Sequence, residues 1–276
     1  MTPPVESFLA LPGGRARVLT WGEGPGTVVF LHGLSGVAEV WQPTVDALPS
    51  GRRHVAIDQR GHGQTFAPAS GYGTREFVGD TRAAIQRLGP PVHLVGHSMG
   101  ARVALLMAAR FPRLLDSVAI VDIGPEASAS NVAQTARGVS LRPERFGDEE
   151  EALAFAFRTR VPTELDKHIF LARLEAHPDG SLTWRASREA LIETVTRHRA
   201  RNYWREWRRI AIPALFIHGG ASNEVSVAIA DRMRKENPSV AFERYDGIGH
   251  NIPLLAPERL ATSLANFWTT SAKSAT

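Results

Sequence analysis

The stretch from Val92 to Arg110 constrains this chain more than any other. An apolar run, Val92-His93-Leu94-Val95, meets Gly96-His97-Ser98-Met99-Gly100 and passes at once into Ala101-Arg102-Val103-Ala104-Leu105-Leu106-Met107-Ala108-Ala109-Arg110. That order of composition reads as a buried strand, a sharp turn and a packed helix. A serine at the apex of such a turn is held in a strained backbone conformation, so its near neighbours must be small. Gly96 and Gly100 leave the room that Cβ atoms would deny. The hydroxyl then stands clear of the sheet at the positive end of a helix, which makes Ser98 a candidate nucleophile.

A length of 276 residues allows one large α/β domain or two small ones, and motifs spread over nearly all of it favour one. A hydrophobic content of 43% is ample for a core. No window approaches the ~18 to 20 uninterrupted apolar residues of a membrane span. Met1-Thr2-Pro3-Pro4-Val5-Glu6 lacks a basic segment leading into an apolar one, so no secretory signal is visible and a cytoplasmic location is expected. The absence of cysteine excludes disulfides, a thiol nucleophile and thiolate metal sites. The histidines show no H-E-x-x-H spacing and no G-x-x-x-x-G-K loop occurs, so neither a metal nor a cofactor is predicted.

The formal charge is a modest +4, but arginines cluster at Arg197, Arg199, Arg201, Arg205, Arg208 and Arg209, interleaved with Tyr203, Trp204 and Trp207. With Glu193 and Glu206 among them they read as a solvated helix face rather than a nucleic-acid surface. A third reading puts cations near a substrate entrance, where they would favour anionic acyl carriers.

Phe8 to Leu11 and Arg15 to Trp21 read as a hairpin of edge strands around Pro12-Gly13-Gly14. Thr27 to Leu31 is a strand ending in His32-Gly33-Leu34, with a helix from Trp41 to Leu48. His54 to Asp58 is a strand, Arg75 to Leu88 a helix stopped by Gly89-Pro90-Pro91, and Leu115 to Ile123 another strand. From Gly124 to Arg209 the rhythm becomes polar and helical, with scattered bulky residues and breaks at Pro143, Pro162 and His177-Pro178-Asp179-Gly180. This segment is expected to be a helical insertion over the sheet's carboxyl edge, most of its aromatics forming a small core of their own. Strands resume at Ala214 to His218 and Val240 to Tyr245, around a helix from Val225 to Glu236, and Pro257 opens a last helix. The expected fold class is α/β, a mostly parallel sheet covered on both faces, with reactive groups beyond the strands' carboxyl ends. Residues 1–123 and 210–276 would form the core and 124–209 the cap.

With His32-Gly33, Asp58-Gln59-Arg60-Gly61-His62-Gly63, Gly96 to Gly100 and Gly249-His250 in this order, the chain resembles the α/β-hydrolases over nearly its whole length. The resemblance implies an acyl-transfer site in which Ser98 is the nucleophile and His250 carries its proton. It also implies an oxyanion hole made by the backbone N–H groups of Leu34 and Met99. Asp58 and Arg60 would tie down the Gly61-His62-Gly63 turn, His32 would orient its loop, His97 would brace the elbow, and His93 and His218 would be satisfied in strands.

The acid departs from the commonest pattern of that family. The position after Gly219-Gly220-Ala221-Ser222 that is often aspartate is Asn223 here, with Glu224 one residue on. An amide accepts a hydrogen bond but brings no charge, so Asn223 is a poor acid. Glu224 remains as the alternative acid if the loop slips by one residue. Asp122 ends the strand next to the one bearing Ser98, and resemblance to small esterases and thioesterases makes it the acid, assisted by Ser222. The expected function is a serine hydrolase of carboxylic esters, thioesters or lactones. A carbon–carbon bond hydrolase or cofactor-free perhydrolase on the same residues, and a non-enzymatic small-molecule-binding scaffold, are the alternatives. The aromatics suggest an apolar acyl or aryl pocket and a small-molecule partner.

Overall fold

In β-strands alternate side chains face opposite ways, and here both faces are covered. Thr27–Leu31 sends Val29 and Leu31 into one apolar layer and Val28 and Phe30 into the other. The computed structural model describes residues 3–127, 129–199 and 201–273. Met1, Thr2 and the side chain of Arg199, read above, lie outside the described residues.

The chain opens with the hairpin β1 (Val5–Leu11) and β2 (Gly14–Trp21), followed by β3 (Thr27–Leu31), α1 (Gln42–Ala47) and β4 (Arg53–Ile57). Helix α2 (Thr74–Leu88), strand β5 (Val92–His97), helix α3 (Met99–Arg110) and strand β6 (Leu115–Val121) complete the first half. The chain then leaves the sheet through α4 (Ala129–Ser140), β7 (Arg145–Phe146), α5 (Glu149–Ala156), α6 (Glu164–Leu171), β8 (Leu174–Ala176), β9 (Leu182–Trp184), α7 (Arg188–Arg199) and α8 (Trp204–Trp207). It returns with β10 (Ala214–Gly219), α9 (Val227–Glu236), β11 (Ala241–Tyr245), α10 (Ile252–Leu255) and α11 (Pro257–Lys273).

The eight-stranded sheet has the order β1-β2-β4-β3-β5-β6-β10-β11. Strands β1, β2 and β4 pair antiparallel, and from β4 onward every pairing is parallel. Helices α2, α3 and α8 cover one face, where Phe77, Ile85, Leu105 and Trp207 meet Leu94, Ile120 and Phe216. On the other face Trp41, Leu260, Leu264 and Trp268 meet Phe30, Val95, Val121 and Ile217. Central strands covered twice must be apolar throughout, which is why β3 and β10 are buried end to end.

One expectation about 124–209 needs correction. The segment is not purely helical: β7, β9 and β8 form a three-stranded antiparallel sheet. His177-Pro178-Asp179-Gly180, expected to break helices, is the turn of its hairpin, closed by Gly180 N–H donating to the His177 carbonyl at 3.0 Å. Most of its aromatics form a local core, as expected. Phe146, Phe155, Phe157, Phe170 and Trp184 do, but Tyr203, Trp204 and Trp207 belong to the main core. Trp207 Nε1 donates to the Met233 carbonyl at 2.9 Å, and the Tyr203 hydroxyl bonds Thr74 Oγ1 at 3.0 Å. No helix among the described residues is long and apolar enough to cross a membrane.

Candidate active site

The turn after β5 is built on two close approaches. A Cβ on Gly96 would lie 2.2 Å from the Gly100 carbonyl oxygen, and one on Gly100 would lie 2.4 Å from that of Leu31. Neither gap admits a methyl group, so the strand can turn into α3 only with glycine at both positions. Ser98 sits at the apex with φ of 53° and ψ of −115°, a conformation that L-residues rarely adopt. Its N–H is anchored on the Val121 carbonyl at 3.0 Å, which docks the turn against β6.

Asp122, the first residue beyond β6, also has positive φ, at 53°. Its N–H donates to the Ile217 carbonyl at 2.9 Å, and its side chain is fully buried. One carboxylate oxygen, Oδ1, accepts the Gly219 N–H at 2.8 Å; the other, Oδ2, lies 2.7 Å from His250 Nδ1. His250 enters from the loop after β11, and its Nε2 lies 2.9 Å from Ser98 Oγ. A carboxylate only accepts, so Nδ1 carries the imidazole proton and Nε2 is left to accept from the serine hydroxyl. Ser98, His250 and Asp122, on loops after three different strands, thus form one continuous hydrogen-bonded chain.

Helix α3 begins at Met99, whose N–H, like every first-turn amide, has no intrahelical partner. The Leu34 N–H, in the turn after β3, makes no hydrogen bond among the described residues. A Cβ on the preceding Gly33 would lie 3.0 Å from His97 Nδ1 and 3.1 Å from the Ser98 Cβ, so that loop packs directly on the serine.

Several histidines surround the site in fixed roles. His97 Nε2 donates to the His250 backbone carbonyl at 2.8 Å, while burial, reinforced by His250, pushes its pKa down to about 3. It therefore stays neutral and braces the loop that carries His250. His32 Nε2 accepts the Gln59 N–H at 3.0 Å, so its Nδ1 donates to the Gly33 carbonyl at 2.7 Å; burial holds its pKa well below the usual histidine range. His93 bonds Ser117 Oγ and His218 bonds the Val225 carbonyl. Asp58 fastens the turn after β4 by accepting the Gln64 N–H at 3.1 Å. Arg60 instead reaches across to Asp80 and the Gly71 carbonyl.

The remaining acid candidates fall elsewhere. Asn223 is exposed, and Glu224 lines the cavity in front of Ser98 rather than reaching His250 Nδ1. Ser222 does not assist Asp122: its hydroxyl accepts the Glu224 N–H at 3.2 Å, and the hydrogen bond to Asp122 Oδ1 comes from the Gly219 N–H.

That cavity has a volume of about 470 Å³. The core lines it with Leu34, Ser98 and His250, and the segment between β6 and β10 with Thr135, Val139, Arg142, Phe155, Arg173 and Trp184. The apolar pocket expected from the aromatics is thus half right, since two arginines share its wall. Neither stands out in the sequence, because an isolated arginine carries no periodic signal. Of the clustered arginines whose side chains are described, Arg197, Arg201, Arg205, Arg208 and Arg209, none lines it. Arg197 pairs with Glu193 and Arg208 with Glu236. Among the described residues no group of three or more His, Asp or Glu is placed to hold a metal ion.

A family profile described as the alpha/beta hydrolase family matches residues 28–263. The chain is an α/β-hydrolase. This hydrolase is 28% identical to the 2-(acetamidomethylene)succinate hydrolase of Mesorhizobium japonicum over 249 residues, 89% of this chain and 88% of the relative. It is 26% identical to the mouse sn-1-specific diacylglycerol lipase ABHD11, covering 87% of this chain and 80% of that protein. The crystal structure of E-2-(acetamidomethylene)succinate hydrolase superposes with a TM-score of 0.88 at 25% identity, over 96% of this chain and 99% of that one.

Proposed function

We propose that this hydrolase cleaves carboxylic esters of small acyl groups, and by the same route thioesters or lactones, through an acyl-enzyme on Ser98. The observation that carries this reading is the Ser98–His250–Asp122 hydrogen-bonded chain, with contacts of 2.9 and 2.7 Å. Ser98 Oγ attacks the acyl carbonyl while His250 Nε2 takes its proton. The tetrahedral oxyanion is held by the N–H groups of Met99 and Leu34. The C–O bond to the leaving alcohol breaks as His250 returns the proton to that oxygen. Water, deprotonated by His250, then attacks the acyl-enzyme and frees Ser98. Asp122 fixes the imidazole tautomer and stabilises the imidazolium formed in both halves. Each oxyanion donor contributes about 100- to 1,000-fold in rate. Residues 124–209 form the cap that shapes the acyl pocket above Ser98.

Rapid mixing of the enzyme with a short-chain 4-nitrophenyl ester tests this. A burst of one nitrophenolate per Ser98, absent in Ser98→Ala, is expected; turnover that persists in Ser98→Ala would refute the assignment. Similarity to a 2-(acetamidomethylene)succinate hydrolase favours a second reading, cleavage of a non-ester acyl bond by the same residues. Ser98-dependent turnover of acyl amides with no turnover of any activated ester would select it.

A further inference from the structure

Among the described residues two arginines are buried, and both are paired. Arg17 contacts Glu6, Glu39 and Asp58 at 2.7, 2.8 and 3.1 Å, and Arg102 donates to the carbonyls of His198 and Gly124. Arg173, between α6 and β8, is half-buried and differs from both. Its Nε is buried without a partner, and among the described residues its guanidinium makes no hydrogen bond or ion pair. Glu39 is the acid whose field reaches it, but Glu39 forms its ion pair with Arg17. A guanidinium drawn partly out of water with one nitrogen unpaired loses hydration that nothing in the protein replaces, so an anion at this position would complete it. Arg173 faces the cavity that holds Ser98 and His250.

Arg142 shares that wall. Its guanidinium lies 4.6 Å from the Trp184 ring centroid and donates to the Ala186 carbonyl, with no carboxylate partner among the described residues. Burial and the neighbouring Arg188 lower its pKa to about 10, so it remains a cation at neutral pH. Glu224, also on the wall, is the one acid lining the cavity among the described residues and keeps it from being uniformly basic.

We propose that Arg173, supported by Arg142, binds a carboxylate on the acyl part of the substrate, so that the preferred substrate is a small monoester of a dicarboxylic acid rather than a neutral fatty ester. The planar guanidinium fork matches a carboxylate in two parallel hydrogen bonds. A cavity of about 470 Å³ suits a short acyl chain anchored at both ends, by Ser98 at the ester carbonyl and by Arg173 at the free acid. This rests on the ester-hydrolase reading only for the identity of the reacting bond.

The test compares kcat/KM for the 4-nitrophenyl monoesters of succinate and glutarate with that for 4-nitrophenyl butyrate and valerate. The unaltered enzyme is expected to prefer the charged esters at least tenfold. Arg173→Met should lower that preference at least tenfold, mainly through KM for the charged ester, and Arg173→Lys should restore part of it. Equal or faster turnover of the neutral esters by the unaltered enzyme overturns the proposal whether or not the variants fold. If no ester is turned over, the ester reading fails on its own, and calorimetry of Ser98→Ala with glutarate and with neutral glutaramide decides. Glutarate binding at least tenfold tighter sustains the carboxylate site; equal binding, or binding of neither, overturns it.

Discussion

Asp122 Oδ2 and His250 Nδ1 lie 2.7 Å apart across 128 residues of sequence, and the aspartate is fully buried where they meet. Its other oxygen is held by Gly219 N–H, so the carboxylate cannot rotate away without losing a buried bond. Asp122→Asn keeps the shape but presents an amide that can donate to Nδ1 and favour the wrong tautomer. A fall in kcat of about 10⁴-fold is expected, the size of the effect in a related triad. Glu224→Gln should change kcat by less than about tenfold, since Glu224 lines the cavity and does not reach His250 Nδ1. Steady-state kinetics of both variants on one neutral ester check this, and near-normal turnover by Asp122→Asn would refute the assignment.

The glycines at the turn give a second expectation. A Cβ at position 96 would stand 2.2 Å from the Gly100 carbonyl oxygen, while Gly79, on α2, has nothing within 4 Å of its would-be Cβ. Gly96→Ala should therefore cost about 3 kcal/mol or more, or prevent folding, because backbone must move to admit the methyl. Gly79→Ala should stabilise by about 0.5 to 1 kcal/mol by removing a mid-helix glycine. Denaturant titrations measure both, and a tolerated Gly96→Ala would contradict the packing described.

Much of this was legible in the residues. Strands such as β3, β5, β6 and β10 announce themselves because a sheet covered on both faces needs uninterrupted apolar runs. Gly96 and Gly100 announce the elbow because their spacing has a steric cause. The sheet of β7, β8 and β9 is silent because strands of two or three residues show no period, and Pro143 and the His177 to Gly180 turn look like helix breaks. Ser222 was misread because the group that actually serves Asp122 is a backbone N–H, which every residue type carries. Arg173 was invisible for a related reason: an arginine's lack of a partner is a tertiary fact.

His97 gives a prediction about positioning. Its ring holds the His250 carbonyl at 2.8 Å, and its low pKa keeps it from competing for the proton that His250 would move in the proposed mechanism. His97→Leu removes that bond without touching Ser98, Asp122 or the cavity arginines. The expected result is a loss of about 10- to 100-fold in kcat, since misplacing a catalytic group by about 1 Å has that effect, with little change in KM. An equal rise in KM with kcat unaltered would show that His97 shapes binding rather than the path of the proton.

The buried histidines also set how stability responds to acid. Burial pushes His54, His62 and His93 down to about 4 and His97 to about 3, and holds His32 well below its ordinary 6.5. A histidine whose pKa is depressed by folding takes up its proton in the unfolded chain first, so its contribution is present above pH 6.5 and is lost as pH falls towards 4. For His62, only 1% exposed, the shift corresponds to about 3 kcal/mol at 1.36 kcal/mol per pKa unit. Asp58 works in the opposite direction. Burial, with Glu39 nearby, raises it to about 6, which favours the folded state in acid and offsets one of the five histidines. Unfolding free energy should therefore decline steadily between pH 6.5 and 4. Replacing His62 by Asn, whose amide can still donate to the Arg60 carbonyl, should reduce the slope by about 1.4 kcal/mol per pH unit. Urea titrations at half-unit intervals measure it, and a slope that is flat, or identical in the two proteins, would show that these rings are not held neutral by burial.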